Sequence, residues 1–232
     1  MEKQHRALQL ATHFAPETKG GLLICGLNWG RKLSDGPSEV PVTGKSYFSD
    51  KRHEYYPFKQ RLLIWFELWG HPLEPFDGNP GTFERSISHM NWWTDQSHDT
   101  KGIDYIEKCR KHREHFLYHL TQITPRLILF LGQPLLDALN RPWLFEDAQQ
   151  CLGQACKPIV PWIHKEFDKN GKPLRPFKVR YQEFEQCEVI ALPHPTGSRG
   201  LSNKYIAAFR PEIGPILSRY RLKLVSTTQH SP

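Results

Sequence analysis

Three short runs of unbroken apolar residues constrain this chain more than any other feature. They lie in GLLICGLNWG (21–30), RLILFLGQPLLDALN (126–140) and CEVIALPHPTGSRGLSNKYIAAF (187–209). Each run stops at a Gly- or Pro-containing turn and passes into polar or helical sequence. A strand with one wet face alternates apolar and polar residues. A strand without alternation needs cover on both faces, which is the situation of a parallel sheet between helical layers. Leu127 to Leu131 is the clearest case, followed by Gly132 and a helix from about Pro134. A fourth, weaker strand is SISHMN at 86–91.

Helical sequence fills the intervals. Residues 57–69 (PFKQRLLIWFELW) carry Pro57 in the first turn and stop at Gly70, ahead of Pro72. Residues 103–123 read as one long helix, with Ile106, Cys109, Arg113, Phe116, Leu117 and Leu120 on one face and Pro125 closing it. The helix after Ser202 is expected to be short, because Pro211 interrupts it. The stretch 165–176 (KEFDKNGKPLRP) reads as a polar turn or hairpin insertion. Alternating strands and helices predict a three-layer α/β/α sandwich with a central, mostly parallel four-stranded sheet. At 232 residues, one domain spans 1–232, with its core at about 20–222; two domains would be cramped.

Composition excludes several classes. Hydrophobic residues make up 38% and charged residues 24%, as in ordinary globular chains, and no run of about 18 apolar residues could span a membrane. The N-terminal stretch lacks an apolar segment ending in a small-residue cleavage site, so no secretory signal is expected. The five cysteines are odd in number and form no C-x-x-C pair. That argues against a disulfide framework, a zinc ribbon or an iron–sulfur cluster, and for a reducing compartment: the cytoplasm, or the nucleus in a eukaryote. Twelve histidines invite a metal reading, with His115 and His119 four apart on the long helix. No Cys or carboxylate completes a ligand set, so solvated helix surface is the expectation, with no metal or other cofactor. The net charge is +7, with seven Trp and thirteen Phe, and the pI is about 9.2. Such a surface draws phosphates and can stack bases, which favours nucleic acid as partner without establishing it.

Ligands of parallel sheets bind beyond the carboxyl ends of the strands, and two of the three clear strands end in unusual polar loops. In HPTGSRGLSN, His194 follows the strand directly and Pro195 holds it extended. Ser198 and Ser202 can bond phosphate oxygens, Arg199 and Lys204 can neutralise them, and Ser202 or Asn203 can cap the next helix. In GLNWG, Asn28 stands between Leu27 and Trp29, with Gly26 and Gly30 outside them. Each loop alone also fits a plain turn, with Asn28 tolerating left-handed backbone and His194 bonding a local carbonyl.

Taken in order, the motifs are similar to those of the uracil-DNA glycosylase superfamily: a strand ending in G-x-N-x-G, an Asn-bearing strand, an "LG" strand before a helix, and an HP-[ST] loop. GLNWG resembles the first motif of the mismatch-specific and single-strand-selective monofunctional branches. HPTGSRGLSNKY resembles the second motif of the single-strand-selective branch, and SHMNWW its base-reading segment. The resemblance spans most of residues 20–210. It departs at Trp29, where the family usually has Pro or Tyr, and in extra residues between HPTG and GLSN; both bear on which base is taken.

The resemblance implies a monomeric, monofunctional DNA N-glycosylase that flips out uracil or a modified pyrimidine, excises it from single- or double-stranded DNA and leaves an abasic site. His194 would stabilise charge on the leaving base and Asn28 would hold the water. Asn91 would read the base edge, with Leu27 and Trp29 lining the pocket. Phe48 is the candidate for stacking on the flipped ring, beside Tyr47, with ordinary core packing equally open. Arg199 or Leu201 would fill the gap left in the DNA, and Ser198, Ser202 and Lys204 would hold its backbone. Two alternatives stay open beside a DNA-repair role. One is an antiviral defence glycosylase acting on bulky modified cytosines of phage DNA; the other is a non-catalytic nucleic-acid-binding module. An α/β hydrolase of another family is weaker, since the chain has neither a G-x-S-x-G elbow nor a P-loop.

Overall fold

In a computed structural model of the chain, residues 11–12, 19–27, 29–30, 48, 55–73, 81–94, 96–97, 102–166, 170–172 and 176–228 are described. The strands are β1 (Ala11–Thr12), β2 (Leu22–Gly26), β3 (Trp29–Gly30), β4 (Ile87–Asn91), β5 (Gln96–Ser97), β6 (Leu127–Leu131), β7 (Val160–Trp162), β8 (Val179–Glu183) and β9 (Glu188–Leu192). The helices are α1 (Pro57–Leu68), α2 (Thr82–Arg85), α3 (Tyr105–Lys111), α4 (Arg113–Ile123), α5 (Gln133–Leu139), α6 (Pro142–Leu152), α7 (Asn203–Ala207) and α8 (Arg210–Thr228).

The main sheet has the order β1-β4-β2-β6-β9-β8-β7, so it is wider than the four strands expected. Those four are the contiguous parallel block: β4 with β2, β2 with β6, and β6 with β9. β1 adds an antiparallel edge on one side, and the β8–β7 hairpin does so on the other. The 165–176 stretch, expected as a polar turn or hairpin insertion, does lie between the antiparallel β7 and β8, but the added strands themselves escaped sequence reading for a simple reason. β8 (VRYQE) buries only Val179 and Gln182, and β7 (VPW) has an exposed or half-buried pattern, so neither shows a continuous apolar run.

Lack of alternation in the central strands has the expected cause. Leu23, Cys25, Ile128, Phe130, Val189 and Ala191 point into one core with α3–α6. Leu22, Ile24, Leu127, Leu129, Leu131, Ile190 and Leu192 point into a second, with α1, α7 and α8. Each of the Leu, Ile, Val and Phe side chains contributes about 1.5–3 kcal/mol by leaving water. A polar substitution in β6 would therefore damage one layer or the other, whichever position it took.

The helices differ from expectation at two places. The 103–123 segment breaks at His112 (φ −105°, ψ 19°), whose Nδ1 lies 3.1 Å from the Thr94 hydroxyl. Asp104 caps α3 by accepting from the Ile106 and Glu107 amides at 3.0 and 3.1 Å. Pro211 does limit α7 to five residues, but it then sits in the first turn of α8, where its missing N–H costs nothing. His115 and His119 are buried and not solvated: 8% and 0% exposed, with ring centroids 4.6 Å apart.

Candidate active site

The carboxyl ends of β2 and β4 are sewn together beyond the strands proper. The Trp92 and Trp93 amides donate to the Gly26 and Leu27 carbonyls, both at 2.9 Å, and β3 pairs with β5 just beyond. Both indoles are buried: Trp92 stacks on Phe116 at 3.8 Å, and each ring N–H is taken by Cys109, through its carbonyl at 3.1 Å and its sulfur at 3.4 Å. Burial pushes the Cys109 thiol up to about 12, so it is a packing group and no nucleophile.

This platform carries Asn91. Its Cα is in register with Gly26, and its Oδ1 would lie 2.3 Å from any Cβ at that position. Only glycine leaves room for the carboxamide there. The residue is 5% exposed, yet no described group hydrogen-bonds its side chain. Its backbone carbonyl is held instead, by His115 Nε2 at 3.2 Å. Burial pulls the His115 pKa down to about 4, so the neutral ring donates from Nε2.

His194 leaves the end of β9 into a turn built around its own ring. Nδ1 accepts from the Gly197 amide at 2.8 Å and the Thr196 amide at 3.3 Å, and Ser198 N–H donates to the His194 carbonyl at 3.2 Å. An acceptor role at Nδ1 assigns the proton of the neutral ring to Nε2. Burial lowers the pKa, in the same sense. A Cβ at Gly197 would come within 3.0 Å of Nδ1, so the turn closes this tightly only around glycine. Nε2–H meets no described acceptor and faces away from the turn that engages Nδ1.

Two residues of α1, which sequence reading missed, complete the arrangement. Phe58 stands between His89 of β4 and His194, with centroids at 5.7 and 5.9 Å. One helical turn on, Arg61 donates to the Pro195 carbonyl at 2.6 Å and the Leu201 carbonyl at 2.5 Å. The guanidinium thus staples the two ends of the His194 loop. The i, i+3 spacing behind Pro57 puts both side chains on one face, but nothing local says which loop that face meets. Gln133, the first residue of α5, adds a tie by donating to the Ala191 carbonyl at 2.9 Å.

The other sequence candidates fall as follows. Ser202 caps α7, accepting from the Tyr205 amide at 2.9 Å. Arg199 and Lys204 are exposed and Ser198 half-buried. Leu201 is 3% exposed and belongs to the α1–α8 core, so its side chain is not free to leave the protein surface. Phe48 is 1% exposed and packs edge-on against Phe66 at 6.3 Å, within the core that includes α1. Among the described residues, Phe58 is an aromatic ring in contact with His194. Leu27 joins the core on the α3–α6 side. Trp29 lies in β3, and Asn28 and Tyr47 lie outside the described residues.

No protein-family model matches this sequence, and no curated protein is detectably similar to it.

Proposed function

We propose that the protein is a monofunctional DNA N-glycosylase that hydrolyses the bond between deoxyribose and a flipped pyrimidine. One observation carries the reading. At the same end of a parallel sheet, the Asn91 carboxamide sits against Gly26 and the His194 ring is fixed by its own turn, while the carboxamide and the Nε2–H remain without described partners. The motif resemblance to uracil-DNA glycosylases supports it, as does the basic charge.

In this mechanism Asn91 offers one donor and one acceptor to the base edge. As the C1′–N bond breaks, its electron pair passes into the base, and His194 Nε2–H donates to the base oxygen that gains the charge. A neutral donor suits this step, because Nδ1 must stay unprotonated to hold the Gly197 and Thr196 amides. Water adds to C1′ of the sugar cation and releases its proton to solvent. Asn28 is the residue proposed to orient that water. An amide cannot remove the proton, so the rate should hold steady above the His194 pKa, with no second basic limb.

The test is excision from labelled single- and double-stranded oligonucleotides carrying uracil or 5-substituted pyrimidines, with abasic sites cleaved by alkali. His194→Ala should lower the excision rate about 10²–10³-fold with the fold intact, the usual loss for one donor to a developing anion. Product formation by His194→Ala at the parental rate, or no excision by the parent on any such substrate, would overturn the proposal.

A further inference from the structure

The β7–β8 hairpin is built onto the His194 loop. On its outgoing side His164 meets the Tyr205 ring at 5.8 Å, and the Glu166 carboxylate accepts from Ser202 Oγ at 3.5 Å. On its returning side the Phe177 ring meets the same tyrosine at 5.6 Å, and the Phe177 carbonyl accepts from the Tyr205 hydroxyl. Both limbs of the insertion are therefore fixed to the first residues of α7, which begins where the His194 loop ends.

Four cations are chain neighbours of these contacts: Lys165 beside His164 and Glu166, Lys178 beside Phe177, Lys204 beside Tyr205, and Arg199 in the loop itself. All four are exposed, and none forms an ion pair with a described carboxylate. Cations elsewhere on this flank of the sheet behave differently. Lys157 pairs with Glu183 at 3.0 Å, Arg180 with Asp137 at 2.6 Å and Arg219 with Glu188 at 2.6 Å. Lys111, Arg141 and Arg210 are likewise exposed without a described ion pair, but only at the hairpin–loop junction do such cations, among the described residues, gather beside the His194 loop, with Glu166 held on Ser202.

We propose that the β7–β8 hairpin is a nucleic-acid backbone clamp, with Lys165 and Lys178 binding phosphates of the strand whose base enters the site. The proposal rests on the glycosylase reading for its substrate. The hairpin would supply affinity and register, with no part in bond cleavage. Lysine is suited to this as a point charge that accepts any phosphate geometry.

The experiment is the salt dependence of DNA binding by the full chain. Fluorescent single-stranded and duplex oligonucleotides are titrated at several salt concentrations with the parent, with Lys165→Gln/Lys178→Gln, and with Lys111→Gln on the opposite helical layer. Loss of two phosphate contacts should reduce the slope of log K against log salt by about 1.4 on single strands and about 1.8 on duplex. Lys111→Gln should leave it unchanged. In the excision assay the double variant should raise KM and keep kcat. An unchanged slope in the double variant, or a kcat loss equal to the KM rise, overturns the clamp while leaving the glycosylase reading intact. A reduced slope in a protein that excises nothing supports the clamp and sinks the enzyme. A parent that binds neither form of DNA ends both.

Discussion

Single side chains hold this site by closing it onto backbone, and each closure can be tested. Arg61 satisfies two loop carbonyls that lie apart in the chain, Pro195 and Leu201. A lysine brings its donors on one nitrogen where arginine uses two, so it spans the pair less well, and alanine serves neither. Leaving such carbonyls unpaired costs about 1–3 kcal/mol each, so the loop of Arg61→Ala should loosen while the sheet stays folded. We predict a kcat reduced about tenfold or more with little change in KM, partial recovery in Arg61→Lys, and loss of the single-tautomer ¹⁵N signature of His194. Equal kcat in all three proteins would refute the staple. Gly26→Ala places a Cβ 2.3 Å from Asn91 Oδ1 and must drive the carboxamide away. The expected result is a loss of about 1–3 kcal/mol in urea unfolding, with base discrimination weakened alongside. His194 and Asn91 were legible as residue types at strand ends, and Ser202 as a helix cap. Phe58 and Arg61 were not, because a helix face names no partner until the chain is folded.

Between elements, the polar ties do what apolar packing cannot: they set angles. Arg180 of β8 donates to the Gln133 side chain, the Gln133 carbonyl and Asp137, each at 2.6 Å, and so joins the antiparallel flank to α5. Gln133 in turn reaches β9 at Ala191 and the hairpin at Lys178. Replacing Arg180 with Met keeps much of the aliphatic packing and removes three charge-assisted bonds. We expect about 2–4 kcal/mol lower stability by denaturant titration, with Asp137 sparing some of it through its partial exposure to water. The four parallel strands could be read from the chain because burial on both faces writes itself as an apolar run. β7, β8 and the break at His112 could not, since half-exposed edges and a histidine–threonine contact leave no periodic mark.

At the scale of the molecule, the buried histidines make stability depend on acidity. Burial holds His71, His115 and His194 below the ordinary histidine range, His115 at about 4. An unfolded histidine takes its proton near pH 6.5. Between about pH 6.5 and 4 the unfolded chain therefore binds more protons than the folded one, and stability rises with pH. The contribution is complete above pH 6.5 and is lost as pH falls toward the folded values. For His115 it is on the order of 3 kcal/mol. Thermal midpoints should drop steadily from pH 7 to pH 5, and His115→Gln should flatten that drop; parallel curves for both proteins would show that His115 is not responsible. The order of the sheet has a consequence for how the chain is made. β6 (LILFL) is buried between β2 and β9, yet 56 residues separate it from β9. At ~5–20 residues per second, a nascent chain carries an unpaired, wholly apolar strand edge for on the order of several seconds before its cover is synthesised. Products that stall in that interval should be the ones that cells find insoluble, and chaperone capture should peak there and end when Leu192 clears the ribosome.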